Sequence, residues 1–167
     1  MLPAELRQQL IRYEPLAVLV PQDHALAELS AIPLEALRES RVCSRAGSHV
    51  TPGWEHALQQ LLGPFGIDPS DGHPHVLGGD ELAQHLRHRN APILTLITQP
   101  EVPGAALRPL VDPVPLYPWA MMWRANLDHP ALRALRQAAA ELAAANDWLA
   151  VPAGAWLPTP ESANRAG

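Results

Sequence analysis

The sequence predicts an α/β fold with a mixed, mostly parallel sheet flanked by helices. Short apolar runs alternate along the chain with longer segments whose apolar residues recur at helical spacing. The run at residues 16–20 is apolar at every position, which is typical of a strand buried on both faces of a sheet. Strands that alternate with helices in this way favour a sheet packed between helical layers.

Length and composition are those of an ordinary globular domain. The chain has 167 residues, 47% of them apolar, which is enough for one hydrophobic core or for two small lobes. Of its 19 prolines, many fall in loops, and they form no low-complexity tract. The net charge is −5 and the arginines are scattered, which argues against a free-standing nucleic-acid-binding domain.

The cysteine count and the N-terminal residues indicate the cellular compartment. Cys43 is the only cysteine, which excludes an internal disulfide bond and a zinc site built from several cysteines. The N-terminus carries charges where a signal peptide has an apolar core, and no apolar run approaches the roughly 20 residues of a membrane-spanning helix. We therefore expect a cytoplasmic protein without membrane contact.

The first strand is predicted at residues 16–20 and ends at Pro21, because proline cannot donate a hydrogen bond to a sheet. A short helix follows. Its first turn accepts Pro33, and Leu34 and Leu37 face the core. Together these residues begin the alternation of strand and helix.

A second short strand is predicted at residues 41–44, and a loop then leads into the best-patterned helix. The apolar residues of that helix recur at the spacing of one helical face: Trp54, Ala57, Leu58, Leu61, Leu62 and Phe65. Pro64 must end or kink the helix, and Gly66 suits a left-handed cap.

The next predicted elements are a strand at residues 74–77, a helix and the clearest strand of the chain. Asp80 is expected to cap the helix, whose apolar residues are Leu82, Ala83 and Leu86. The clearest strand, at residues 92–98, is rich in β-branched residues.

The last predicted elements are two extended stretches, at residues 105–111 and 115–124, and a helix from Pro130 to about Asn146. The inner face of this helix is expected to be Leu132, Leu135, Ala139 and Leu142. Tyr117, Trp119, Met121 and Trp123 alternate at strand spacing, and we expect them to pack against the last helix.

Four stretches of the sequence resemble the effector-binding domain of the LysR-type transcriptional regulators. They are YEPLAVLVPQDHALAELSAIPLEAL (13–37), RVCSRAGSHVTPGWEHALQQLLGPFGIDP (41–69), GGDELAQHLRHRNAPILTLIT (78–98) and VDPVPLYPWAMMWRANLDHPALRALRQAAAEL (111–142). Their order and spacing cover nearly the whole chain. The first is similar to the segment of that family in which a strand ending in proline enters the second lobe. The resemblance implies a periplasmic-binding-protein-like (type II) lobe.

The resemblance also implies a division of the chain. Residues 1–124 would form lobe two, with hinge strands at about 14–21 and 116–124. Residues 125–150 would be the C-terminal helix of lobe one, and residues 151–167 a tail. Family members begin with a winged helix-turn-helix domain, a dimerisation helix and the first half of lobe one, which this sequence does not contain. We therefore expect a fragment or a truncated gene product that reaches DNA only through a helix-turn-helix domain absent from this chain.

The strongest candidate binding site is the loop and helix start that include Ser44, Arg45, Thr51, Pro52, Gly53 and Trp54. A helix N-terminus offers unpaired N–H groups and the positive end of a dipole, which suit a carboxylate. Gly53 allows close approach to the backbone, Thr51 and Ser44 supply hydroxyls, and Arg45 can pair with an anion through two hydrogen bonds. The resemblance implies effector contact for residues 51–54. The alternative is that Thr51 only caps the helix and Trp54 only fills the core.

Gly78 and Thr98 are further candidates for the effector site. Gly78, with the two residues after it, opens a helix and offers N–H groups, although Asp80 would repel an anion. Thr98 ends the clearest strand, where its hydroxyl either faces the cleft or bonds to the backbone.

The histidines and the cysteine carry little chemistry. The alternative hypothesis of a metal site rests on His73, His75, His85 and His88, of which His85 and His88 share one helix face. No carboxylate accompanies them at the spacing of a hydrolase, and Cys43 in an apolar strand is typical of a small core residue. The sequence has no nucleotide-binding loop and no nucleophile motif. We predict no enzyme, no metal and no cofactor.

The function predicted from these observations is that of the effector-sensing region of a LysR-type regulator. A small anionic metabolite in the cleft between the lobes would shift the lobe arrangement, and a homo-oligomer would transmit the shift. Three alternatives stay open. They are a truncated interaction protein that pairs with itself or with a full-length relative, a small His-dependent metal-binding protein, and a degenerate gene product without function.

Overall fold

The computed structural model describes residues 3–43, 51–68 and 78–159. Its strands are β1 (Leu6–Pro21), β2 (Ile32–Pro33), β3 (Ile93–Leu96), β4 (Ala105–Val111) and β5 (Leu116–Arg124). Its α-helices are α1 (Pro52–Leu62), α2 (Gly79–Arg89) and α3 (Pro130–Ala145). Short 3₁₀ helices cover Ala25–Glu28, Leu34–Glu39 and Gly63–Phe65.

The long strand β1 belongs to two sheets. From Leu16 onward it pairs with β3 on one edge and β4 on the other, which gives a four-stranded sheet in the order β2-β4-β1-β3. From Leu6 to Pro15 it pairs with β5 alone. We call this second, two-stranded part the β1–β5 ribbon. One continuous strand therefore joins the four-stranded sheet to the ribbon.

The predicted mixed sheet is confirmed, and its balance of directions differs from the expectation of mostly parallel pairs. Among the described residues, β1 runs antiparallel to β3, β4 and β5, whereas β2 and β4 are parallel, as is the isolated bridge between Cys43 and Ile93. Antiparallel pairs predominate because the returning chain, β4 and then β5, runs back along almost the whole of β1.

Strand lengths depart from the sequence-based boundaries at two places. β1 starts at Leu6, ten residues before the apolar run, because its first part pairs with β5 while remaining only partly buried. The strand predicted at 41–44 is reduced to the single bridge at Cys43, and Ser44 lies outside the described residues. The strand predicted at 74–77 also lies outside them.

The core lies on both faces of the four-stranded sheet. On one face, alternate β1 residues pack against α1 and the 3₁₀ helices: Leu16, Val18, Val20, Leu34, Leu37, Leu58, Leu61, Leu62. On the other face, Leu19 packs against α2 through Ala83 and Leu86. Successive residues of a strand point to opposite faces, so the uninterrupted apolar run reflects burial on both sides, as predicted.

The predicted ends of α1 are confirmed, and the predicted cap of α2 is wrong. Thr51 caps α1 through a 3.3 Å hydrogen bond that the Trp54 N–H donates to its hydroxyl, and Gly66 takes the left-handed conformation after the last turn. The residue at the cap position of α2 is Gly78, with φ +94°, and Asp80 lies inside the first turn. The chain enters this helix through a backbone conformation that glycine adopts without strain.

Helix α3 lies on the β1–β5 ribbon and is largely exposed. Ala143 is buried and Leu132 and Ala139 are half-buried, while Leu135 and Leu142 are 56% and 52% exposed. The expected inner face is thus right for two residues and wrong for the two exposed leucines. A two-stranded ribbon is too narrow to cover more than one stripe of a helix, so the flank with both leucines stays open. Among the described residues, no helix has the length and apolarity needed to cross a membrane.

Candidate functional site

The start of α1 lies beside β5. Pro52 occupies the first helical position, where its missing N–H is not needed, and Thr51 satisfies the Trp54 N–H. A Cβ atom on Gly53 would lie 3.8 Å from the Tyr117 hydroxyl and 3.9 Å from the Thr51 hydroxyl. The first turn of α1 is therefore open to solvent on one side and close to β5 on the other.

Three aromatic rings connect this helix start to the β1–β5 ribbon. Trp54 and Tyr117 meet edge to face with ring centroids 5.1 Å apart, and Tyr117 and Trp119 do so at 5.4 Å. Tyr117 is half-buried, but Trp119 is 45% exposed, so the expectation that Trp119 fills the core between the sheet and the last helix is wrong. Trp119 lies on the ribbon, which has no helix to cover that ring.

A buried carboxylate lies directly behind these rings. Glu14 is only 4% exposed, and its Oε2 accepts a 2.7 Å hydrogen bond from the indole N–H of Trp119. Its Oε1 accepts a hydrogen bond from the hydroxyl of Thr98, which follows β3. Glu14 thus ties the end of β3 to β5 at the point where β1 leaves the four-stranded sheet. We call Glu14, Thr51, Gly53, Trp54, Thr98, Tyr117 and Trp119 the α1–β5 cluster.

Sequence reasoning missed Glu14, although a signal was present. Glu14 stands two residues before Leu16, at the same parity as Val18 and Val20, so strand geometry places all four side chains on one face. A carboxylate on the buried face of a strand requires hydrogen-bond donors from elsewhere in the fold. That requirement points to a polar site at the end of the apolar run.

The predicted site residues fall into three groups. Thr51, Gly53, Trp54 and Thr98 come together in the α1–β5 cluster, with Pro52 in the same helix turn. Gly78 lies at the start of α2, where the neighbouring Gly79 approaches the Glu101 carbonyl. Ser44 and Arg45 lie outside the described residues.

The α1–β5 cluster combines polar groups with exposed aromatic surface. The first turn of α1 supplies the Gly53 N–H and the positive end of the helix dipole, since Pro52 has no N–H and the Trp54 N–H is bonded to Thr51. Trp119 supplies exposed ring surface, and Glu14 supplies negative charge behind it. The Thr98 hydroxyl hydrogen is directed to Glu14, so toward a ligand this side chain offers its oxygen as an acceptor.

The described histidines form no metal centre. No group of three or more His, Cys, Asp or Glu side chains within residues 3–43, 51–68 and 78–159 is arranged to hold a metal ion. His73 and His75 lie outside these residues, and His85 and His88 lie on α2.

Comparison with known proteins identifies the fold. The effector-binding domain of BenM, solved with its effector benzoate, superposes with a TM-score of 0.70 at 15% identity over 93% of this chain and 71% of that domain. The effector-binding domain of QuiR in complex with shikimate gives 0.63 at 14% identity, over 86% and 68%. A putative LysR family transcriptional regulator from Pseudomonas aeruginosa gives 0.63 at 15% identity, over 84% and 49%.

Each of the matched structures is longer than this chain. This chain spans 51% of full-length BenM. No protein-family model matches the sequence, and no curated protein matches it. At identities of this level, the shared feature is the backbone arrangement. The chain has the periplasmic-binding-protein-like fold of the effector-binding domains of LysR-type regulators.

Proposed function

We propose that this chain is the effector-sensing region of a LysR-type transcriptional regulator. The observation that carries the proposal is the α1–β5 cluster. Four residues chosen from the sequence for effector binding, Thr51, Gly53, Trp54 and Thr98, lie around one aromatic and carboxylate cluster at the junction of two sheets. Binding sites in folds of this kind lie where two lobes meet.

The proposed division of the chain follows that junction. Residues 1–124 would form lobe two, with hinge strands at about 14–21 and 116–124, and residues 125–150 would carry the last helix of lobe one, followed by a tail at 151–167. The antiparallel register from Leu6 opposite Arg124 to Pro15 opposite Leu116 supports two strands crossing together between the lobes. Because β1 belongs to both sheets, a change in its twist near Pro15 would alter the angle between them.

The proposed ligand is a small organic anion. The Gly53 N–H and the positive end of the α1 dipole suit a carboxylate. Benzoate, the effector of BenM, and shikimate, which is bound in the QuiR structure, each carry one. Ser44, Arg45 and Gly78 belong to the proposed site, with Arg45 as the cation that pairs with the ligand. Trp54 and Trp119 would contact the apolar part of the ligand.

The proposed mechanism is a shift between lobe arrangements. A ligand that binds one arrangement more tightly than another raises the population of that arrangement by the difference in affinity. In a complete regulator, a homo-oligomer would pass the shift to DNA-binding domains. This chain matches about half of full-length BenM, so DNA binding is proposed for other parts of such a regulator.

The test is thermal unfolding of the chain in the presence of small carboxylates, amino acids, aromatic acids and divalent metals. A ligand at about 100 times its dissociation constant adds roughly 2.7 kcal/mol to the free energy of unfolding, which raises the melting temperature measurably. We expect a shift with one class of carboxylates. A cooperative melt that no compound moves would contradict the proposal, and a shift with zinc alone would favour the metal-binding alternative.

A pair of glycine variants locates the ligand. Gly53→Val places a side chain between Thr51 and Tyr117, and we expect it to abolish the ligand-induced shift. Gly63→Val, in the 3₁₀ turn just after α1, where a Cβ meets no atom within 4 Å, is the matched control that keeps the shift. An equal shift in both variants would place the ligand elsewhere.

A second candidate function is that of an interaction protein, and a specific observation favours it. Leu135 and Leu142 on α3 and Met122 on β5 are each more than half exposed. Apolar side chains grouped on one helix flank mark a contact surface more often than scattered ones do. The chain would pair with itself or with a full-length relative through the flank of α3 that carries Leu135 and Leu142.

A further inference from the structure

Glu14 is the one charged side chain that is buried within the described part of the chain. The ion pairs between two described residues, Arg38 with Glu35 and Arg133 with Asp128, do not involve Glu14. Its two hydrogen-bond donors, the Thr98 hydroxyl and the Trp119 indole N–H, are both uncharged. The Glu14 carboxylate therefore has no cationic partner among the described residues, and it lies in a medium that screens charge poorly.

That charge lies next to the exposed end of the α1–β5 cluster. Trp119 directs its N–H inward to Glu14 at 2.7 Å while 45% of its surface is exposed. Tyr117 connects Trp119 to Trp54 at the start of α1. A ligand that spans the three rings would therefore have the helix N-terminus at one end and a negative charge at the other.

We propose that Glu14 is the specificity-determining residue that excludes negative charge from the Trp119 end of the cluster. A ligand then turns its single carboxylate toward α1 and an uncharged or hydrogen-bond-donating end toward Trp119. Dicarboxylates of the same length are disfavoured, because their second charge lies close to Glu14. This inference rests on the proposed function and narrows its ligand class to monocarboxylates.

The test uses three ligands that share a benzene ring with one carboxylate: benzoate, terephthalate and 4-(aminomethyl)benzoate. They carry no charge, a negative charge and a positive charge opposite the common carboxylate. Dissociation constants are measured by calorimetry for the wild-type chain and for Glu14→Gln, which keeps the shape and removes the charge. A unit charge several ångströms from a carboxylate, partly screened by solvent, changes affinity by roughly tenfold.

We expect Glu14→Gln to tighten terephthalate binding about tenfold, to weaken 4-(aminomethyl)benzoate by a similar factor and to leave benzoate within about twofold. A purely structural role for Glu14 would change all three constants in parallel, and that outcome overturns the inference. Ile93→Val, a mild core change in β3 away from the cluster, is the control for lost stability and should keep the wild-type ranking.

The wild-type ranking tests the inference even where Glu14→Gln does not fold. The expected order of affinity is 4-(aminomethyl)benzoate, then benzoate, then terephthalate. Terephthalate binding as tightly as benzoate overturns the inference. Absence of binding for all three probes also overturns it, whereas the proposed effector-sensing function then stands or falls with the wider ligand screen.

Discussion

Leu62 and Leu142 show what decides how much a single leucine contributes to the stability of this chain. Both are leucines in helices with apolar faces, yet Leu62 is fully buried and Leu142 is 52% exposed. Leu62 belongs to the core between α1 and the four-stranded sheet, while α3 has only the narrow ribbon beneath it. The helical pattern alone identifies the candidate face but not whether a neighbouring element covers it.

Truncation of these two leucines should therefore differ in effect. Leu62→Ala leaves a cavity and is expected to lower the free energy of unfolding by about 2–5 kcal/mol. Leu142→Ala removes a side chain that is half in water, and the expected loss is below about 0.5 kcal/mol. Urea unfolding followed by circular dichroism measures both. Comparable losses would mean that the exposed flank of α3 is covered in solution.

The residues of the α1–β5 cluster also differ in how far the sequence could predict them. Thr51, Gly53 and Trp54 were predicted together because a capping residue, a glycine and an apolar residue in one helix turn form a local pattern. Thr98 lies 84 positions after Glu14 in the sequence, and Trp119 lies 105 positions after it, so no local pattern joins Glu14 to its two donors. Their contact depends on strand register, which only the folded sheet defines.

At the scale of elements, the boundaries of helices were more predictable than those of strands. α1 ends where Pro64 and Gly66 required, because those residues act on their own backbone. β1 extends ten residues beyond its apolar run, because pairing with β5 holds residues that are only half-buried. Hydrophobic periodicity detects burial, and a strand that is paired but partly exposed gives a weak signal.

The cap of α1 offers a direct measure of one element boundary. Thr51→Ala removes the acceptor for the Trp54 N–H and should cost about 1 kcal/mol of stability. Thr51→Ser keeps the hydroxyl and should leave the free energy of unfolding unchanged or slightly higher, because serine caps helices at least as well as threonine. Chemical denaturation compares the two variants. If serine and alanine prove equally destabilising, the methyl group of Thr51, and not its hydroxyl, contributes the stability.

At the scale of the whole molecule, the fold class followed from alternation of strands and helices, while the direction of most strand pairs did not. Parallel pairs were expected because buried strands usually come from crossover connections. Here the returning chain lies along β1 from Pro21 to Leu6, a long-range arrangement that local sequence does not encode. The ribbon at the end of that return has two strands, fewer than an independent sheet usually needs.

The narrow ribbon and the exposed flank of α3 indicate that the molecule associates with itself. We expect the chain to form concentration-dependent oligomers, and Leu135→Lys with Leu142→Lys to shift them toward monomer. Ala134→Lys, on another exposed side of the same helix, is the control for added charge. Sedimentation velocity separates the species. A wild-type chain that stays monomeric at all concentrations would remove the main support for an interaction role.

Because β1 belongs to both sheets, its register fixes which side chains face each of the two cores. One residue inserted between Leu16 and Val18 would turn Val18 and Val20 from the α1 face to the α2 face, so both cores would lose their packing at once. The ribbon end is more tolerant, since an irregularity between Leu10 and Arg12 already takes up one extra residue there. Within β1, changes in length among homologous sequences should therefore fall before Glu14 and be rare between Glu14 and Pro21.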